Sequence, residues 1–299
     1  MMKNSKSAYF YAISSIMLWS TAAVGFKIAL RYMDFIQLLF ISSFISVIIL
    51  FAVLISRKEF KILFTYSTKD YLSSMFLGFL NPFAYYMVLL KAYSILPAQL
   101  AQPLNYTWPI ILVLLSAPLL KQKLQLKSMG AILISFTGVY IIASSNNIFS
   151  FKIEQPYGIF LASGSAFIWA LFWIFNVRDK RPEIAKLALS FAFSLLFTIL
   201  AMLFFSDFEI PPINGILAAI YIGFFEMGFT FILWLKAMQM VDRSDRISNL
   251  VYISPFFSLT WIHLILKENI YETTLLGLGF IILGIIFQQY KFKRRSRNE

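Results

Sequence analysis

The chain has 299 residues, of which 60% are hydrophobic and 13% charged, against roughly 45–50% apolar and about 25% charged in soluble globular domains, a balance that argues against a water-soluble fold. Its net charge of +12 at pH 7 would point a soluble protein toward nucleic acid, but in a membrane protein the meaning depends on where the positive residues lie. There is no cysteine and His263 is the only histidine, which removes disulfides, thiolate nucleophiles and most metal sites.

In chain order, apolar runs long enough to cross a ~30 Å hydrocarbon core as helices are predicted over about residues 8–30, 35–56, 71–95, 98–120, 127–145, 156–177, 185–206, 213–238, 246–266 and 271–290. The first run is longer than a signal-peptide core and carries no convincing small-residue cleavage site, so it reads as a retained helix. The intervening segments leave no room for a soluble domain. With the N-terminus in the cytoplasm, every Lys and Arg except Lys27, Arg31, Lys91, Lys152 and Lys267 falls in a cytoplasmic segment, and this bias sets orientation by the positive-inside rule. The expectation is a multi-pass protein of the cytoplasmic (inner) membrane with both termini cytoplasmic. The basic tail from Lys291 to Arg297 reads as a topology anchor on membrane lipid rather than a nucleic-acid patch.

Sliding the chain against itself by about 145 residues aligns Gly78-Phe79 with Gly223-Phe224 and Leu90-Lys91-Ala92 with Leu235-Lys236-Ala237. With one inserted residue, Tyr106 falls on Tyr252, Pro109 on Pro255, Lys121 on Lys267 and Gly138 on Gly284, while Trp19 and Trp169 occupy similar places in the opening spans of the halves. The repeats are assigned to residues 1–147 and 148–299, five spans each. An odd-numbered repeat enters the membrane from opposite sides, which makes the fold all-α, with ten transmembrane helices as two inverted five-helix repeats, and points to alternating access.

Leu18-Trp19-Ser20 and the late Lys27 in the opening span, Leu90-Lys91-Ala92-Tyr93 closing the third, Pro109 in the fourth, and Gly130 and Gly138 in the fifth together resemble the drug/metabolite transporter superfamily, in its EamA-type branch, across nearly the whole chain. The resemblance implies a ten-helix secondary carrier, favours export, and names no substrate. Members usually show a Gly-Glu pair after the fourth span of each repeat; here Lys267-Glu268 keeps the acid and Lys121-Gln122 does not, which suggests that the first-half glutamate is dispensable.

Inverted-repeat carriers bind near the midplane, where helices are interrupted at corresponding places in the two halves. Asn81-Pro82 in the third span matches Glu226-Met227-Gly228 in the eighth. The fourth span carries Gln102-Pro103, Asn105, Tyr106, Thr107, Trp108 and Pro109, and the ninth carries Ser248, Asn249, Tyr252, Ser254 and Pro255, polar groups that face inward rather than to lipid. Glu226 is the one acid deep within a span. An ionised carboxylate there costs several kcal/mol unless paired or hydrated, so it is read either as a group that loads a proton or pairs with a substrate ammonium, or as a protonated glutamate bonded to a neighbouring helix.

Lys27 is the second coupling candidate, placed to meet Glu226 or an anionic substrate group, with snorkelling to the interface as the alternative. Lys91 and Lys236 read as interfacial snorkels, and His263 as a packing residue without a second metal ligand nearby. Trp19, Tyr85, Tyr86, Trp108, Trp169, Trp173, Trp234 and Tyr252 fall in spans expected to line the cavity, each open between packing and stacking on solute. Taken together they favour an amphipathic organic solute, such as an amino acid or aromatic metabolite, over an inorganic ion.

A membrane enzyme finds no clustered His/Asp/Glu set, and no cofactor is implied. A receptor or scaffold offers no reason for matched mid-span interruptions, and no filter segment suggests a channel. Passive facilitation or exchange remains open beside proton coupling. Ala131, Ser135 and Gly138 in the fifth span and Gly277, Gly279 and Gly284 in the tenth permit close helix contact within the fold or between protomers, so monomer and homodimer are both open.

Overall fold

The computed structural model describes residues 5–120, 126–144, 154–206, 209–240 and 249–289. Among them every regular element is helical. Seven helices are long and apolar enough to cross a membrane: α1 (Lys6–Ala29), α2 (Phe35–Ser56), α3 (Thr68–Ile95), α4 (Ala98–Leu119), α6 (Pro156–Arg178), α7 (Glu183–Phe205) and α8 (Ile213–Gln239). Three shorter apolar helices complete the order: α5 (Ser128–Ala143), α9 (Leu250–Leu266) and α10 (Glu272–Gln288).

Local chemistry fixes where these helices start. Asp34 caps α2, accepting from the backbone N–H groups of Ile36 and Gln37, while Gln37 answers with its own side chain, and Ser67 with Asp70 forms the same box at α3. The turn between α6 and α7 is held by charge. Arg181 donates through Nε to both oxygens of Asp179, at 3.0 and 3.1 Å, and through Nη2 to Ser74 Oγ at 2.9 Å, tying the turn to α3. Burial works against the Asp179 carboxylate, but the Arg181 hydrogen bonds and charge outweigh it and hold the group below the usual carboxylate range. Lys186, counted in the sequence as a topological charge, is buried and donates to the carbonyls of Asn176 (3.1 Å) and Asp179 (3.0 Å). It closes the C-terminal end of α6, where free carbonyls favour a cation.

The packing pairs elements from opposite halves. α1 lies on α8 and α3 on α6; α2 lies on α7 and α8, and α7 also on α3; α5 lies on α10. Ser42 and Ser46 of α2 donate to the carbonyls of Ala219 (3.0 Å) and Gly223 (2.7 Å) in α8. Without a hydrophobic drive between helices in lipid, such small-residue contacts carry the association.

The stripe of small residues on α5 and α10 is spent inside the fold. A Cβ on Gly138 would sit 2.5 Å from the Gly277 carbonyl, and one on Gly277 2.6 Å from the Gly138 carbonyl. Gly279, in contrast, has nothing within 4 Å. Gly138→Ala is therefore expected to push α5 off α10 and cost about 1–3 kcal/mol, read as a lowered melting temperature of the purified protein, whereas Gly279→Ala leaves the melting temperature unchanged.

Candidate functional site

α1, α3, α4, α6, α8 and α9 all contribute to one cavity of about 440 Å³, within the size range of small-molecule sites. Three departures from regular helix make the room. In α3 a kink at Asn81-Pro82, where Asn81 takes φ −146 and ψ 125, redirects the chain so that Tyr85 and Tyr86 reach the cavity. In α8 a π-helical turn, Ile222–Phe229, brings Glu226 to the cavity while Phe224 and Phe229 stay exposed on the outer face. α4 breaks at Tyr106 and Thr107, between prolines 103 and 109, and Thr107 Oγ1 satisfies the Leu104 carbonyl at 2.8 Å.

Glu226 is held at its centre by aromatic donors. The Tyr86 hydroxyl donates to Glu226 Oε1 at 3.1 Å and Trp19 Nε1 donates to the Glu226 backbone carbonyl at 3.3 Å. The second carboxylate oxygen, Oε2, is buried with no hydrogen-bond partner among the described residues. Aromatic rings line the cavity that this carboxylate shares. Trp19 stands 5.5 Å from Phe231 and 5.4 Å from Trp234, and Tyr85 stands 4.6 Å from Trp169 and 4.7 Å from Tyr86. A polar chain runs alongside: Tyr85 donates to Asn105 Oδ1 at 3.2 Å, and Asn105 Nδ2 to Ser165 Oγ at 2.8 Å. Gln102 lines the same wall with its Oε1 buried and unpartnered. Tyr106, Trp108, Trp173 and Tyr252 complete the sequence-derived residues that the structure brings together here.

Two expected residues fall elsewhere, and a third lies outside the described residues. Asn81, matched to Glu226 in the sequence, sits in the α3 bend, buried with both amide atoms unpartnered, and does not line the cavity. The side chain of Asn249 lies outside the described residues, as do Ser248 and the pair Lys121-Gln122. Lys27 does not meet Glu226. Its ammonium donates to the carbonyls of Tyr93 (2.9 Å) and Leu96 (3.1 Å), groups left free where α3 ends.

The cavity's two ends differ. At one end its lining is Ser116 and Met238, both half-buried, with Val177 and Arg178, both exposed. Near Phe26 and Tyr93 it is closed by buried side chains. Beyond these lies a polar seal that joins the two halves. Glu268 accepts from the backbone N–H groups of Ala98 (3.0 Å) and Gln99 (3.2 Å), and the Gln99 side chain bonds the Asn269 carbonyl (2.8 Å) and the Tyr271 N–H (2.8 Å). Sequence reasoning missed this clamp. The available signal was Pro97, an N-cap without a side-chain acceptor, which leaves the first N–H groups of α4 in need of one.

The chain is similar to proteins described as uncharacterized transporters. It is 25% identical over 302 residues to one from Clostridium kluyveri, covering 97% of this chain and 96% of that protein. It is 26% identical over 198 residues to one from Acidianus ambivalens, covering 65% and 75%. A third, from Archaeoglobus fulgidus, is 23% identical over 275 residues, covering 91% of this chain and 94% of that protein. One solved crystal structure superposes with a TM-score of 0.66 at 20% identity, covering 95% of this chain and 96% of that one, which shows a shared fold. The pattern of the EamA-like transporter family matches residues 6–144 and again residues 156–288, and with that double match across a helical chain built around one cavity, the chain belongs to the EamA-like transporter family.

Proposed function

We propose that the chain is a secondary transporter of a small organic solute, working as an exporter in the cytoplasmic membrane by alternating access between two inverted five-helix repeats. The observation that carries this reading is a central cavity whose lining is exposed at one end and buried at the other, with a polar clamp between the halves beyond the buried end. The repeat is supported by the double family match and by the exchange of partners, since α2 on α8 mirrors α7 on α3 and α1 on α8 mirrors α6 on α3. Glycines 78 and 223, aligned in the sequence, each face a serine backbone carbonyl, Ser190 in α7 and Ser42 in α2.

The positive residues Arg178, Lys180 and Arg181 support a cytoplasmic position for the exposed end. The described conformation is then inward-facing, with Lys27, Gln99 and Glu268 closing the outer side. Both termini are cytoplasmic in this reading. The aromatic walls suit the apolar body common to amino acids and related aromatic metabolites without choosing among their charged groups, and Glu226 provides the group for proton coupling.

Proteoliposomes containing the protein and a labelled panel of amino acids and related metabolites test this directly. Gradient-dependent movement of at least one solute is expected, and Glu226→Gln lowers its coupled rate by about tenfold or more. Movement that ignores the proton gradient in wild type and variant alike makes the protein a facilitator or exchanger, and no movement of any solute counts against transport. The absence of cysteine allows a test of the seal. In an Ala23→Cys background, labelling by an impermeant maleimide from the outer side is slow, and Glu268→Ala is expected to speed it several-fold by freeing the start of α4. Equal rates with and without Glu268 contradict the clamp.

A further inference from the structure

We infer that the cavity selects its solute by a single positive charge: it takes a small organic amine, ammonium on Glu226 and apolar body against the rings, and discriminates against the amino acid of the same side chain. The inference rests on the transport reading only in taking the cavity as the solute site. It starts from Glu226 Oε2, which is buried and has no partner among the described residues while Oε1 takes the Tyr86 hydroxyl. A carboxylate that shares its cavity with Trp19, Tyr86 and their ring neighbours sits in a poorly solvated place, where an unpaired charge is costly and an incoming cation gains most. Ring faces add to this, because ammonium groups are attracted to aromatic quadrupoles.

The second half of the inference concerns what is missing near that carboxylate. Among the described residues, Arg178 is the one Lys or Arg that lines the cavity. It lies nine residues along α6 from Trp169, about 13 Å at 1.5 Å per residue, and Trp169 marks the level of Tyr85 and Tyr86. Arg178 is also exposed, donates to the Leu119 carbonyl, and stacks over Phe175 with its guanidinium carbon 5.6 Å from the ring centroid. Lys27, the other nearby cation, is held by two backbone carbonyls and does not line the cavity. In an α-amino acid the ammonium nitrogen and the carboxylate carbon are only about 2.5 Å apart. A solute with its ammonium on Glu226 therefore has its carboxylate beside Glu226 and the rings, repelled by one and unsolvated by the other. A monocation escapes both penalties.

The experiment uses the purified full chain in lipid nanodiscs and four probes that share one ring and differ in charge: 2-phenylethylamine, phenylalanine, phenylacetate and 2-phenylethanol. Binding of the amine is expected to be tighter than that of each of the others by about tenfold or more, the scale of one well-placed charge pair. Glu226→Gln, nearly isosteric, brings amine binding within about threefold of the alcohol, and Glu226→Asp restores part of the preference. The order among the four in wild type alone suffices if the variants do not fold. Phenylalanine binding as tightly as the amine overturns the inference, as does an amine preference that survives in Glu226→Gln or a failure of all four to bind. Flux of the same probes separates the two readings: amine-selective binding without flux supports charge selection and contradicts transport, whereas flux of phenylalanine with no amine preference does the reverse.

Discussion

In hydrocarbon every backbone N–H and C=O must find a partner within the protein, so an irregular backbone survives only where other protein or a cavity covers it. The rest of this molecule follows from that constraint. Its departures from α-helix are few, and those of α3, α4 and α8 lie around one cavity. The kink in α3 and the π turn in α8 bring Tyr85, Tyr86 and Glu226 inward while phenylalanines hold the outer face, and the break in α4 brings Asn105, Tyr106 and Trp108 to the same cavity. The regular helices α2, α5, α6, α7 and α10 form the frame. α5 and α10, which line no part of the cavity, pack on each other through glycine backbones at van der Waals limits.

The helices themselves were legible because lipid demands long apolar runs, and the sequence announces such runs plainly. The interruptions were legible for a related reason, since Asn-Pro or Glu-Met-Gly inside such a run has no other rationale. What the sequence could not supply was which neighbour each residue meets. Asn81 and Glu226 align in the repeat, yet only Glu226 reaches the cavity, because Asn81 takes an extended backbone conformation in the bend while the π turn around Glu226 remains helical. Thr21, which interrupts α1 and bonds Tyr221, gave no sign in an otherwise continuous apolar run. The small residues of α5 and α10 predicted close contact but left its partner open.

Lys27 and Lys186 illustrate a second limit. Both read from sequence as charges with a topological or functional task, and both close helix ends, Lys27 on the last carbonyls of α3 and Lys186 on those of α6. A long cation near a helix terminus meets several free carbonyls there, and this local demand outweighs attraction to a carboxylate farther away. Glu268 serves the opposite terminus in the same way, giving the first N–H groups of α4 the acceptor that Pro97 lacks. The seal is thus built from ordinary helix-end chemistry, with the capping groups drawn from across the molecule.

That origin bears on how such a seal can open. A cap from a distant segment is reversible in a way that a cap from the helix's own sequence is not: when α4 and the start of α10 separate, water replaces Glu268 at the free N–H groups at small net cost. Within the cavity the second oxygen of Glu226 is buried without a hydrogen-bond partner among the described residues, while the first takes the Tyr86 hydroxyl, and a carboxylate oxygen left in that state is costly. The two carboxylates are thus set differently within one fold. Glu268 satisfies two backbone N–H groups at a helix start, and Glu226 keeps one oxygen unpaired beside the cavity.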